Sequence, residues 1–341
     1  MKKQLLRGAA PVLTVAASFV MTAPGQCQQV LASGPDVVPN AVVSGNNFKN
    51  PLQVALLYWY PANLSANFVA GTQPVGLAFD GASMWVTNYL DNTITKIRVS
   101  DGYATNQTFP VGTNPAGTTF DGVNIWVANS SSNSLTELRA SDGSTVRTIN
   151  TVGSAPEGVA FDGANVWVAN ALSNTITEVR VSDGAVLLVQ HVGNFPVGVA
   201  CDGANIWVSN NKGNSVTKIR ASTGRVLGTF SVGNNPSGIA FDGADIWVAN
   251  TGDNTITKLQ ASDGTVLGTF AVGTAPSGVG FDGANVWVAN GGSNTVTKLR
   301  TSDGFCVGIC TFNVGNDPSS VAFDGAHIWV TNRSSNTVSK L

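Results

Sequence analysis

The sequence predicts an all-β fold: a seven-bladed β-propeller of four-stranded antiparallel blades, its ring closed by an N-terminal strand that completes the last blade. Three observations carry this expectation. Tryptophans recur at Trp85, Trp126, Trp167, Trp207, Trp247, Trp287 and Trp329, spaced 41, 41, 40, 40, 40 and 42 residues apart. Around each lie short apolar, β-branched runs closed by Asp-Gly or Asn-Ser-type turns, which are strand and hairpin signals. The last copy stops early, and a segment before the first copy resembles the piece it lacks.

A period near forty residues with four strands is the signature of a propeller blade, whereas a β-solenoid uses shorter coils. In the fifth copy, strand a is expected at 238–241, b at 246–249, c at 255–259 and d at 266–270. Asp242-Gly243 and Asp263-Gly264 supply the a–b and c–d turns, and the b–c loop runs from Asn250 to Asn254. The inner strands are apolar without strict alternation, as expected where both faces of a blade pack on neighbours. The repeats run at about 69–110, 111–151, 152–191, 192–231, 232–271, 272–313 and 314–341. The seventh copy ends with its strand c, at 337–341. Residues 62–70 resemble a strand d and would cover the open edge, which otherwise invites another chain.

Composition narrows the class of protein. Charged residues make up only 11% of the chain, against roughly a quarter in an average soluble domain. Ser, Thr, Asn and Gly take their place, which suits a turn-rich protein outside the cytoplasm. Without a Lys/Arg stripe there is nothing to neutralise phosphates, so nucleic acid is excluded as a partner. Lys2, Lys3 and Arg7 precede an apolar stretch from Gly8 to Ala23 and then small residues, the order of a secretory signal. Residues 1–26 are therefore expected to direct export, secreted or periplasmic; Cys27 leaves a lipoprotein anchor as the lesser alternative. No later stretch is long and apolar enough to span a membrane. Residues 27–47 form a flexible lead-in, and 48–341 a single, monomeric propeller domain. Residues 50–60, dense in apolar and aromatic side chains, are expected to dock against the ring or to bind a partner.

The cysteines fit an oxidising compartment. Cys201 stands where other copies have Phe161, Phe241 and Phe281, so it is expected to be a small buried hydrophobe. Cys306 and Cys310 lie in a two-residue expansion of the repeat and are a candidate disulfide. Extended residues four apart lie roughly 13 Å from each other, so bridging requires a bulge at Gly308. A zinc pair would lack its other two ligands.

The run Ile125-Trp126-Val127-Ala128-Asn129 followed by Asn133-Ser134-Leu135-Thr136 resembles the YVTN repeat of bacterial propellers. Trp85-Val86-Thr87-Asn88 and Trp329-Val330-Thr331-Asn332 match its Val-Thr-Asn core, with Trp in place of Tyr. The lead Val111-Gly112-Thr113-Asn114-Pro115-Ala116-Gly117 also looks like the YncE-like group. The resemblance covers residues 69–341 and implies a seven-bladed propeller, mostly an exported one, with no fixed activity. More distantly, the Trp-containing repeats look like streptogramin B lyase-type propellers. That likeness implies a His base, acidic groups and Mg²⁺. The chain holds only two histidines, His191 in strand d and His327 in an a–b hairpin, and its glutamates are Glu137, Glu157 and Glu178. Neither histidine is expected on the face where a channel-mouth site would form.

Most chemistry-bearing residues are repeated, and repetition favours a structural role. The Phe-Asp-Gly and Ser-Asp-Gly aspartates accept turn hydrogen bonds while Gly supplies φ > 0. They lack the neighbouring oxygens of a calcium loop. The tryptophans are expected between blades. The Gly-x-x-Pro-x-Gly element has no following helix or lysine and is a turn, not a phosphate cradle. No nucleophilic triad can be assembled from two unrelated histidines. Function therefore falls to loops on a rigid scaffold. Strand order places the b–c and d–a loops on one face, where the off-pattern residues are Tyr89, Asp91, Glu157, Phe195, Lys212, Asp253 and Arg333. The expected function is a non-catalytic scaffold binding a protein, peptide or glycan, with no resident cofactor or metal. A metal-assisted lyase or hydrolase recruiting a divalent ion into the channel, or a purely structural envelope protein, is the alternative.

Overall fold

The computed structural model describes residues 66–100, 107–306 and 308–341. The expected export signal, the lead-in and the segment at 50–60 lie outside the described residues. Seven four-stranded antiparallel sheets form a ring of blades around a central channel, with strand a innermost and strand d outermost. In blade 5 the strands are Pro236–Phe241, Asp245–Asn250, Thr255–Gln260 and Val266–Ala271. Blade 7 takes strands a to c from Pro318–Phe323, Ile328–Asn332 and Thr337–Lys340, and its strand d is Ala66–Val69. The N-terminal strand thus pairs with the C-terminal one, Phe68 opposite Val338, and the ring closes by strand exchange between the chain's two ends.

The core lies between blades rather than within them. Trp126, Ala128 and Leu135 of blade 2 pack against Val166, Val168 and Val179 of blade 3, and clusters of the same kind recur around the ring. At the closure, Trp329 and Val338 of blade 7 meet Met84, Val86 and Ile97 of blade 1. Phe68 stacks on Trp329 with centroids 5.1 Å apart. A blade alone cannot cover its own apolar faces, which is why repetition and closure are needed for stability.

Each tryptophan is held by its own turn. The indole N–H donates to the aspartate five residues earlier at 2.7–2.8 Å in all seven blades. The same carboxylate accepts two backbone N–H groups of the a–b turn, as Asp242 does from Ala244 and Asp245. Burial of the indole and closure of the hairpin are therefore one interaction. Six of these tryptophans are fully buried and Trp287 is 7% exposed, so stacking on a ligand at these rings is ruled out by access.

The inner ring is tight. A Cβ on Gly117 would sit 2.3 Å from the carbonyl oxygen of Glu157 in the next blade, so only glycine allows the two inner strands to approach this closely. Blade 6 departs from the others, its strand d shortened to Thr311–Asn313 after the two-residue expansion. There Gly308 takes φ +78°, which brings the Cα atoms of Cys306 and Cys310 to 5.6 Å, and their sulfurs are joined. Cys201, expected as a small buried hydrophobe, is only partly buried against the blade 3–blade 4 core and is disulfide-bonded.

Candidate functional site at the channel mouth

The b–c and d–a loops occupy one face and are tied to each other. Tyr89 N–H donates to the Gln73 carbonyl at 3.0 Å, Asn211 to Phe195 at 2.9 Å and Arg333 to Asp317 at 3.0 Å. Buried asparagines ending strand b brace both loops. Asn129 accepts the Gly112 N–H at 3.0 Å and donates to Ser134 and Thr136 hydroxyls at 3.1 and 2.9 Å. The asparagine ending each b–c loop is left-handed, as Asn133 is at φ +54°, and its side chain accepts an N–H of the adjoining d–a loop. This face is held in place by the chain's own hydrogen bonds.

The seven sequence-predicted residues divide into three groups. Asp91 and Asp253 are absorbed by the scaffold. Asp91 accepts the Thr72 N–H at 2.5 Å, and Asp253 accepts the Asn234 backbone and side-chain N–H groups at 2.7 and 2.8 Å. Those two bonds, the backbone one first, hold the Asp253 carboxyl below the usual aspartate range. Ser132, Ser173, Ser293 and Ser335 make the same cap in other blades, each 19 residues beyond its N–H donor. Phe195 and Lys212 pair with one another. Lys212 lies in the one-turn helix Asn211–Gly213, and its ammonium sits 4.1 Å from the Phe195 ring centroid.

Glu157 and Arg333 form the third group, at the channel mouth, while Tyr89 holds the b–c loop position after Asn88 that corresponds to Ser130, its carbonyl accepting the Asn114 side-chain N–H at 3.0 Å. Glu157 is the second residue of blade 3's strand a, Pro156–Phe161. The matching positions in the other blades are Val75, Ala116, Val197, Ser237, Ser277 and Ser319, so one carboxylate stands in an otherwise uncharged ring. Its Oε1 accepts the Ser130 hydroxyl at 2.8 Å. Burial pushes the carboxyl above the usual glutamate range, against the opposing pull of Ser130 and of the Arg333 charge. Arg333 belongs to blade 7, three blades around the ring, and its field reaches Glu157. The Arg333 Nε lies 4.0 Å from Asp317 and is buried without a hydrogen-bond partner.

Ser130 is the site residue that sequence reasoning missed. The first residue after strand b reaches over the next blade's inner strand, as Thr251 does to the Pro276 carbonyl at 2.6 Å and Asn211 to Pro236 at 3.1 Å. That register, and not residue type, was the available signal. The histidines stand apart from this site: His191 ends the outer strand Val186–His191, and His327 lies on the opposite face beside Asp324. Among the described residues no three His, Cys, Asp or Glu side chains gather in a metal-holding group.

No protein-family model and no curated protein matches the chain. Solved structures do. Virginiamycin B lyase from Staphylococcus aureus superposes with a TM-score of 0.70 at 20% identity, over 81% of this chain and 98% of the lyase. A streptogramin B lyase gives 0.69 at 16% identity, over 81% of this chain and 96% of the lyase. Kuenenia stuttgartiensis hydrazine synthase gives 0.69 at 20%, over 79% of this chain and 95% of the matched chain. At such identities the likeness is one of fold, and what it shows is that this chain is a seven-bladed β-propeller of the kind found in streptogramin B lyases.

Proposed function

We propose that the protein is an exported, non-catalytic scaffold, akin to YVTN-repeat and YncE-like propellers, that binds a protein, peptide or glycan at the channel mouth. The observation that carries this reading is Glu157. A desolvated carboxylate, braced by one serine and facing a distant arginine, is costly to keep unless a ligand supplies the missing partner. A hydrogen-bond donor or cationic group entering the mouth meets that need, and Arg333 and Tyr89 supply a complementary charge and an aromatic face. The loops are already fixed, so little ordering entropy opposes binding.

The test compares the full chain with a Tyr89→Ala, Glu157→Gln, Arg333→Ala triple variant in pull-downs from envelope extracts and on glycan arrays. Loss of the captured partner in the variant, with the melting temperature retained, supports the reading. Equal capture by both proteins defeats it. The metal-assisted lyase or hydrolase reading makes the opposite forecast, that an activity is detected and that both EDTA and Glu157→Gln abolish it.

A further inference from the structure

The chain holds four cysteines, Cys27, Cys201, Cys306 and Cys310. Cys306 and Cys310 are joined to each other across the blade 6 expansion. Among the described residues no cysteine is free, and Cys201 is itself in a disulfide. With both blade 6 sulfurs committed, one thiol in the sequence is left to meet Cys201, that of Cys27.

The surroundings of Cys201 suit a bridge better than a core filler. It ends strand a of blade 4, Pro196–Cys201, where the six other blades place Phe79, Phe120, Phe161, Phe241, Phe281 and Phe323. A thiol fills much less of that position than a phenyl ring, and protein interiors are packed too densely for the difference to stay empty at no cost. Cys201 is half-buried rather than enclosed, which leaves its sulfur within reach of another chain segment. Its Sγ accepts the Gly203 N–H at 3.3 Å, which turns the sulfur toward the a–b turn. Asp202, Gly203 and Ala204 of that turn line a cleft of about 890 Å³, so a segment bound at Cys201 has room to run beside it.

The two ends of such a connection lie on one face. Strand a of blade 4 ends on the face opposite the channel mouth. Strand d of blade 7 starts on that same face, because Ala66 pairs with Lys340 while Val69 pairs with Thr337, the residue that follows the b–c loop. Blades 4 and 7 stand three blades apart around the ring. The 39 residue steps from Cys27 to Ala66 reach on the order of 130 Å when extended. A blade of four strands is only about 15 Å deep, so the span is ample.

We infer that Cys27 and Cys201 form a disulfide that straps the N-terminal segment across the face opposite the channel mouth, from blade 4 to blade 7. The inference rests on the export reading above, because such bridges form and persist in oxidising compartments. The two thiols lose one hydrogen each as their sulfurs join, and a disulfide of that compartment takes up both hydrogens and leaves as a dithiol. A sulfur committed in this way cannot carry a lipid thioether, so the bridge and a lipoprotein anchor are exclusive fates of Cys27.

The test exports the full chain, alkylates its thiols in denaturant without reductant, and maps tryptic peptides by mass spectrometry before and after reduction. The cysteines fall in three separate peptides: that of Cys27 ends at Lys49, that of Cys201 covers 181–212, and Cys306 and Cys310 share 301–333. The first two are expected to be linked and to separate on reduction, with the third bridged internally. Cys27→Ser is expected to leave Cys201 open to alkylation with the Cys306–Cys310 bridge intact. Alkylated Cys201 in the wild type, Cys201 linked to a second copy of the chain, or lipid on Cys27 overturns the strap. If Cys306 and Cys310 are bridged in that same sample, the export reading survives and the strap alone falls; if all four thiols are alkylated, both fall.

Discussion

Asp324 sits at the closing blade, and its environment allows a stability change to be worked out in sign and size. The residue is 5% exposed. One carboxylate oxygen accepts the Trp329 indole N–H at 2.7 Å, and the other accepts the backbone N–H groups of Ala326 and His327 at 2.8 and 2.6 Å. Burial alone would raise its pKa. Hydrogen bonds from the His327 side chain, Trp329 and the turn backbone outweigh that and lower it from 3.8 to about 2. A depressed folded-state pKa contributes stability above the unfolded value and loses it as pH falls through the folded one. At about 1.4 kcal/mol per unit, the contribution at neutral pH is about 2 kcal/mol, lost between about pH 4 and pH 2. Asp324→Asn removes the charge while keeping the shape, so it is expected to cost about 2 kcal/mol at pH 7 and far less at pH 2. For a domain of this size that is roughly 4–8 °C in melting temperature. Denaturant titration of both proteins at the two pH values measures the gap. A gap under about 0.5 kcal/mol at pH 7, or one that does not shrink in acid, would refute the reasoning.

Three further outcomes follow from the geometry. Gly158→Ala places a Cβ 2.2 Å from the Val197 carbonyl oxygen, so the inner ring must open locally at a cost of about 1–3 kcal/mol, read by denaturant unfolding. Asn254→Ala loses both the bond to the Ala275 N–H at 2.8 Å and the tolerance for φ +57°, and about 2 kcal/mol is expected, with Asn254→Gly losing less. Phe68→Ala removes the ring stacked on Trp329 and loosens the donated strand, so faster amide exchange is expected at Thr337–Lys340 than in strand c of blade 4.

The ring was legible because its evidence is arithmetical: a last copy without strand d and a leading segment of the same character can only pair with each other, as Ala66–Val69 does with Thr337–Lys340. The loop face was legible for the same reason, since strand order alone puts the b–c and d–a loops together. Individual roles were harder. Asp91 and Asp253 stand out by charge, yet the bond they make needs only an oxygen, and serine supplies it in four other loops. Phe195 and Lys212 stand out singly as off-pattern residues, but their pairing depends on two loops meeting at one blade junction. Ser130 is one serine among three, and only its reach over the next blade's inner strand identifies it as the partner of Glu157.

In a chain this regular, the three glutamates sort themselves by how each departure from the repeat is compensated. Glu137 replaces a lysine, and Arg147 on the facing strand restores both the charge and the tie to the next blade, so the pair is structural. Glu178 replaces a lysine and is answered by the Asn165 side-chain N–H at 2.7 Å, whereas Glu157 replaces a small residue with only the Ser130 hydroxyl close at hand. Desolvating a carboxylate costs several kcal/mol when nothing answers it, and a propeller of seven near-identical blades offers cheaper solutions at both positions, lysine at one and serine or alanine at the other. Under the proposed function, the Glu157 carboxylate is kept because a ligand at the channel mouth answers it. Glu157 on strand a and Glu178 on strand c belong to the same blade, joined through Asn165–Asn170 between them.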